Sequence, residues 1–361
     1  MSYTIPVGPY HPALEEPINA KLIVDGEKIT DAEIFVGYNH RGMEKLAQER
    51  NFIQTITLVE RVCGICSHSH TWTYVRCLEQ IANIEVPKRA EYIRIVIGEL
   101  ERIHSHLLWV GVACHIVGHD SMFMSVWDDR ESTMDLLENL TGNRVNYGMN
   151  TIGGVRRDFS EEQIKMGLET IDDLEKRLNK MAEFLTTDKT IAMRTKGVGI
   201  LTTEDAIKMG AEGPHARASG VNMDVRKDAP YSAYEDFEFE VPVLDSCDVY
   251  ARVVIRVLEC IESVKIIRQA LSKMPEGPIN TGFKPMNKIP AGEMVLRHEA
   301  PRGHLVYKVV TDGSDKNYRV SIHVPTFRNA PTIPTMLKGN TVADAGLIVA
   351  SIDPCFSCMD V

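Results

Sequence analysis

The chain has 361 residues, of which 44% are hydrophobic and 25% charged, with a formal net charge of −10. That is enough apolar residue to bury a large core, too acidic a balance for a nucleic-acid-binding face, and too ordinary a composition for disorder. No run of about 18 apolar residues offers a membrane span, and MSYTIPVGPYHP lacks both the charged and the apolar part of a secretion leader. A cytoplasmic protein is expected, with its eight cysteines as thiols or metal ligands rather than disulfides.

Residues 1–40 read as extended. AKLIVDGEKI and DAEIFVGYNH carry β-branched residues around a DGEK turn, which predicts an antiparallel hairpin. Residues 41–275 read as a helical core. Within residues 90–118, Ile93, Ile97, Leu100, His104, Leu107 and Leu108 recur at three- and four-residue steps, with Pro87 placed to open the helix. Ser160 and Gln163 form a capping box ahead of the next long helix. Another spans residues 247–274 and is closed by Pro275 and Gly277. In residues 276–361, HLVYKVV and YRVSIHV flank TDGSDKN as a second hairpin, and TVADAGLIVASI is the last helix. The expected fold is mainly α with small β elements (α+β), a single domain over residues 1–361, with no internal repeat.

Two C-x-x-C pairs carry the chemical signal: Cys63/Cys66 in RVCGICSHSH and Cys355/Cys358 in DPCFSC. A redox dithiol needs only one pair, opening a helix in a βαβ unit, and neither pair follows an obvious parallel strand. Four thiolates on structural zinc are the bland metal reading. Zinc staples, however, usually close short loops in segments that lack a core. Pairs at opposite ends of a well-cored chain favour an iron–sulfur or soft-metal catalytic site.

The flanking residues sharpen this. R-x-C-G-x-C-x-x-x-H (Arg61, Cys63, Gly64, Cys66, His70) with D-P-C-x-x-C (Asp353 to Cys358) resembles the large subunit of nickel–iron hydrogenases. HRGME at residues 40–44 and EAPRG at 299–303 follow the family's order, so the motifs bracket nearly the whole chain. The head GPYHP and the stretch ERIHSHLLWVG…WDDRE look like the membrane-bound, energy-converting (Ech-type, group 4) branch. That branch is similar to the quinone-site, 49 kDa-type subunit of respiratory complex I, which lacks the cysteine pairs present here. A complex I-like or sulfur-reducing relative and a zinc-bound assembly subunit are the alternatives.

The resemblance implies nickel held by all four thiolates, with Cys63 and Cys355 terminal and Cys66 and Cys358 bridging to an iron that carries carbon monoxide and cyanide. It puts Arg302 over the open face of the metals, against a solvated arginine as the bland role. Asp353 becomes the partner of Arg302 or, more simply, a turn residue before Pro354. His70 becomes a donor to a thiolate or a satisfied core histidine. Glu44 is the candidate ligand for magnesium, against an ion pair with Arg41 or Arg61. The family's C-terminal His, after which many members trim an extension, corresponds to Val361 here, so either no trimming is needed or the sequence is mature. A carboxylate near the start accepts the proton, and ALEEP offers Glu15 and Glu16, with Glu16 favoured because Pro17 biases its backbone. Cys77, Cys114, Cys247 and Cys260 lack ligand spacing and read as buried small hydrophobes. HDSMFMSVW reads as core or a subunit face.

The function so implied is interconversion of H2 with protons and electrons. With no spare cysteine set, electrons must pass to a small hydrogenase subunit with a proximal 4Fe–4S cluster, then to a further iron–sulfur subunit and ferredoxin. Membrane-integral subunits would move ions, and this chain would sit on the cytoplasmic side of the cell membrane. No nucleic acid is expected as a partner.

Overall fold

In the computed structural model, residues 2–11, 14, 16–284 and 288–361 are described. Glu15 lies outside them. Strands β1 (Ser2–Val7), β2 (Asn19–Asp25) and β3 (Lys28–Phe35) form an antiparallel sheet in that order. The expected hairpin is β2–β3, with Ala20, Leu22 and Val24 alternating inward. The sheet has a third strand that the sequence pattern does not announce: β1 is an edge strand, mostly exposed and carrying Pro6, so it lacks a clean alternation.

Short helices α1 (Met43–Glu49) and α2 (Phe52–Glu60) lead to α3 (Ser67–Ile81), which starts immediately after Cys66. Then come α4 (Lys88–Ile116), α5 (Asp120–Thr141), α6 (Glu161–Thr187) and, after shorter turns, α7 (Val249–Ser272). Pro87 occupies the N-cap of α4, and Ser160 and Gln163 cap α6 reciprocally as expected. Helix α4 is the centre of the molecule, packed on α5 and α7 and buried around most of its circumference. Two of its buried charges form ion pairs, Arg94 with Glu79 at 2.7 Å and Arg102 with Glu99 at 3.2 Å, and the His106 ring meets Glu259 at 3.0 Å. Arg226 also reaches Glu99 at 3.0 Å, and Arg217 joins Glu259 at 2.8 Å to Glu299 at 2.9 Å.

Strands β4 (Gly292–Ala300), β5 (Gly303–Thr311) and β6 (Asn317–His323) form a second antiparallel sheet against α3. The expected hairpin is β5–β6. Strand β4 is not evident from sequence because its outer half alternates only between exposed and half-buried side chains, with Val295 turned to solvent. The β4–β5 turn closes at Ala300 and Gly303 and carries Arg302 at its tip. Gly213 allows that turn to seat: its φ is +64°, and a Cβ there would stand 2.4 Å from the Arg302 carbonyl oxygen. Helices α8 (Ala345–Ser351) and α9 (Phe356–Met359) are the last elements, separated by Ile352, Asp353, Pro354 and Cys355.

Candidate metal centre

The two cysteine pairs meet. Cys66 Sγ lies 3.6 Å from Cys358 Sγ, Cys355 Sγ lies 3.4 Å from Cys63 Sγ, and Cys355 and Cys358 approach to 2.9 Å. All four are free thiols with 5% exposure or less, so solvent does not compete for them. Each pair is shaped by a turn running into a helix. Backbone N–H groups of Ile65 and Cys66 point at Cys63 Sγ, at 3.3 and 3.4 Å. Cys66 is the N-cap of α3 and Cys355 the N-cap of α9, yet neither side chain caps its helix. The sulfurs are thereby left for another ligand.

Protons are shared unequally in the cluster. Hydrogen bonding with Cys355 holds the Cys63 thiol low, and hydrogen bonding with Cys358 holds Cys355 low. Hydrogen bonding to Cys355 raises Cys66, and burial raises Cys358. Four thiolates this close repel one another, so complete ionisation requires cations at the sulfurs. The donor set is all sulfur, which suits a soft or borderline ion. A small cavity on the Cys66–Cys358 side is walled by Ala300, Leu305, Val324 and Pro325, with Arg302 and His70 as its polar lining apart from Thr326. A tetrahedral structural ion would leave such an apolar recess without a use.

Arg302 is buried, not solvated. Its Nη2 lies 2.7 Å from Asp353 Oδ1, its Nε donates to the Asp353 carbonyl at 2.9 Å, and its Nη1 donates to Ser105 Oγ at 3.2 Å. Asp353 has a left-handed backbone (φ 54°), and its other oxygen is 3.8 Å from Arg256 Nε. His70 is fully buried, with Nε2 at 3.5 Å from Cys358 Sγ. Glu16 reaches across from the β1–β2 connection. It accepts the Phe356 N–H, and Ser357 Oγ donates to it at 3.0 Å. Burial, and after it the charge of Cys355, push its carboxyl up to about 7.

Glu44 is engaged elsewhere. Its carboxylate takes Arg319 at 2.7 Å and the Ile322 N–H at 2.8 Å, rather than Arg41 or Arg61. Arg41 instead donates to the carbonyls of Arg61, Val62 and Ser357. Cys77, Cys114 and Cys260 are buried, whereas Cys247 is only half-buried, in a left-handed turn (φ 62°) at the mouth of α7. In the Met-rich stretch, Val126 is buried while Met124 is 65% exposed.

Three residues at the site are given no role from the sequence, although Glu101 and Ser105 lie within ERIHSHLLWVG. Glu101 on α4 accepts from His68 N at 2.6 Å and from Ser69 N at 3.0 Å, capping α3 in place of Cys66. Burial pushes its carboxyl up to about 8. A sequence signal for it exists: charged residues stand in ELER, on a helix otherwise apolar on several faces. Ser105 shares the ERIHSHLLWVG stretch, whereas Tyr307 sits in an ordinary strand alternation and gives no such sign.

Residues 41–113 match the family described as nickel-dependent hydrogenase. Residues 117–286 and 282–361 match the 49 kDa subunit of respiratory-chain NADH dehydrogenase. The chain is 43% identical to the carbon monoxide-induced hydrogenase of Rhodospirillum rubrum, covering 99% of both. It is 44% identical to the membrane-bound hydrogenase subunit alpha of Pyrococcus furiosus, over 99% of this chain and 87% of that one. It is also 41% identical to an NADH-quinone oxidoreductase subunit of Clostridium beijerinckii, over 97% and 95%. Among solved structures, a chain of the membrane-bound sulfane sulfur reductase, an archaeal respiratory membrane complex, superposes with a TM-score of 0.94 at 32% identity, covering 100% of this chain and 98% of that one.

Proposed function

The chain belongs to the family of energy-converting nickel–iron hydrogenase large subunits and the related 49 kDa-type subunits of respiratory complexes, and from that premise we propose that it is the catalytic subunit of a hydrogenase. The observation that carries the reading is the four-thiol cluster with an apolar recess on one side and a buried arginine above it. Cys63 and Cys355 would hold nickel as terminal ligands, and Cys66 and Cys358 would bridge nickel to an iron bearing carbon monoxide and cyanide. When bound, such a pair supplies heterolytic cleavage of H2, with the overall balance of two protons and two electrons.

The protein's own groups do the rest. Arg302, held at three points, keeps a fixed guanidinium in the recess and helps to exclude water from it. Glu16, with a carboxyl near neutrality, takes and returns a proton at the Cys355–Cys358 segment. Electrons leave singly through a partner small subunit with a 4Fe–4S cluster and a further iron–sulfur subunit, to or from ferredoxin. Ion translocation belongs to membrane-integral partners, on whose cytoplasmic side this subunit sits; among the described residues no helix is long and apolar enough to cross a membrane. Magnesium at Glu44 would have to displace the Arg319 ion pair.

The likeness to a sulfane sulfur reductase subunit favours a second reading, in which the same thiols serve sulfur reduction. Metal analysis and infrared spectroscopy of the purified complex separate the two. About one nickel and one iron per chain, carbonyl and cyanide bands, and H2-dependent exchange with deuterated water support the hydrogenase. Sulfane sulfur reduction without hydrogen exchange, or one zinc without such bands, excludes it.

A further inference from the structure

His70 stands one turn into α3, its backbone N–H on the Cys66 carbonyl at 3.2 Å. Its two ring nitrogens face different groups. Nε2 looks at Cys358 Sγ, and Nδ1 lies 2.7 Å from the hydroxyl of Tyr307. Tyr307 comes from the middle of β5, is fully buried, and meets the imidazole edge-on, with 5.8 Å between ring centroids and 76° between planes. Among the described residues its hydroxyl has no other hydrogen-bond partner.

A neutral imidazole has one N–H, and the hydrogen bond at one nitrogen decides which nitrogen carries it. A buried phenol O–H needs an acceptor, and the group within reach is Nδ1. With the O–H donated there, the ring proton belongs to Nε2 and points at the sulfur of Cys358. The opposite tautomer leaves the phenol hydrogen without an acceptor in a dry interior and, once Cys358 is ionised as a metal ligand, sets the Nε2 lone pair against a thiolate.

We propose that Tyr307 is a positioning residue: by donating to Nδ1 it fixes His70 in the Nε2–H form and aims that N–H at Cys358. The N–H draws electron density from one sulfur of the cluster and so tunes its strength as a metal ligand. Tyr307 is not a relay, because among the described residues its hydroxyl leads nowhere onward. The role rests on the metal-centre reading above, but the tautomer is a property of the protein alone.

Nitrogen-15 resonance of the purified complex, labelled in its histidine rings and in a diamagnetic state, reads the tautomer; His70→Gln identifies the His70 signals by their loss. Nδ1 is expected unprotonated and Nε2 protonated in the unaltered protein, with the two forms mixing in Tyr307→Phe. A protonated Nδ1 in the unaltered protein overturns the proposal, as does an unmixed Nε2–H form in Tyr307→Phe. In infrared spectra, Tyr307→Phe should shift the carbonyl and cyanide bands with nickel and iron contents unchanged, and should add no shift on top of His70→Gln. An equal shift in both backgrounds would mean that Tyr307 acts through packing instead, and would overturn the proposal. Complete absence of the bands would sink the hydrogenase reading, while the nitrogen signals still decide the role of Tyr307.

Discussion

Arg41 and Ser357 are bonded across almost the whole chain: Nη2 of the arginine donates to the serine carbonyl at 2.8 Å. The same guanidinium donates to the carbonyls of Arg61 and Val62, at 3.1 and 2.8 Å. One cation thus ties the backbone ahead of Cys63 to the backbone ahead of Cys358. Arg41→Gln loses the fork, and amide exchange over residues 355–361 should quicken about tenfold, the equivalent of roughly one hydrogen bond. Arg41→Lys should fall between the two. Unaltered exchange in the Gln variant would show that the tie adds no stability.

Cys66→Ser and Cys358→Ser each replace a soft sulfur by a hard, poorly ionised hydroxyl. Nickel content and hydrogen activity should both collapse in the purified complex. Cys77→Ala and Cys260→Ala, which remove buried thiols outside the cluster, should cost only on the order of 1 kcal/mol in thermal unfolding. Full metal content in Cys358→Ser would remove that residue from the ligand set.

Arg302→Lys keeps a charge but cannot hold Asp353 Oδ1, the Asp353 carbonyl and Ser105 together. Metal content should be normal and turnover about 10²-fold lower, the usual cost of losing one preorganised electrostatic group. Turnover within about twofold of normal would assign the arginine a structural part alone.

Glu16→Gln preserves the acceptor for Phe356 N–H and Ser357 Oγ–H but cannot take up a proton. Hydrogen evolution and hydrogen–deuterium exchange should fall by about 10²-fold at unchanged metal content. Glu15→Gln, on the neighbouring residue, should be nearly silent. Loss of activity in Glu15→Gln alone would transfer the proton-accepting role to that residue.

Acid should weaken the fold through His106. Burial pushes this ring down to about 4, and it lies 3.0 Å from Glu259. Its unfolded value is near about 6.5. A depressed group contributes stability that is present above the unfolded pKa and lost as pH falls through the folded one, here between about 6.5 and about 4. The loss from this ring alone is on the order of 3 kcal/mol. Burial raises Glu259, but the Arg217 guanidinium and the His106 ring together outweigh it and hold the carboxyl well below its usual range, which extends the same trend to lower pH. Thermal unfolding between pH 7 and pH 4 checks the sign: His106→Gln should flatten the decline, and an equally steep one would exonerate the ring.

Local chemistry makes much of this molecule legible in its sequence. The reciprocal caps Ser160 and Gln163, Pro87 before α4, and the DGEK turn each act within a few residues, and each defines an element where expected. C-x-x-C spacing marks the four thiols for the same reason. What escapes a reading of the sequence depends on contacts between remote segments. The edge strand β1 exists because β2 offers it a ladder, not because SYTIPV alternates. Glu101, Ser105 and Tyr307 acquire their positions only when α4 and β5 close on α3, and Glu44 finds Arg319 only across the β6 strand. The fate of Arg302 is open on sequence grounds, since its burial follows from a turn seated against Gly213.

Helix α4 bears on how the chain can assemble. Its ionised residues find counter-charges on α3 and near residue 226, segments that lie far apart along the sequence. A partly folded intermediate that dried this helix before those segments arrived would strand unpaired charge, at a cost of several kcal/mol per ion. Intermediates must therefore keep Arg94 and Glu99 hydrated until Glu79 and Arg226 arrive to pair with them.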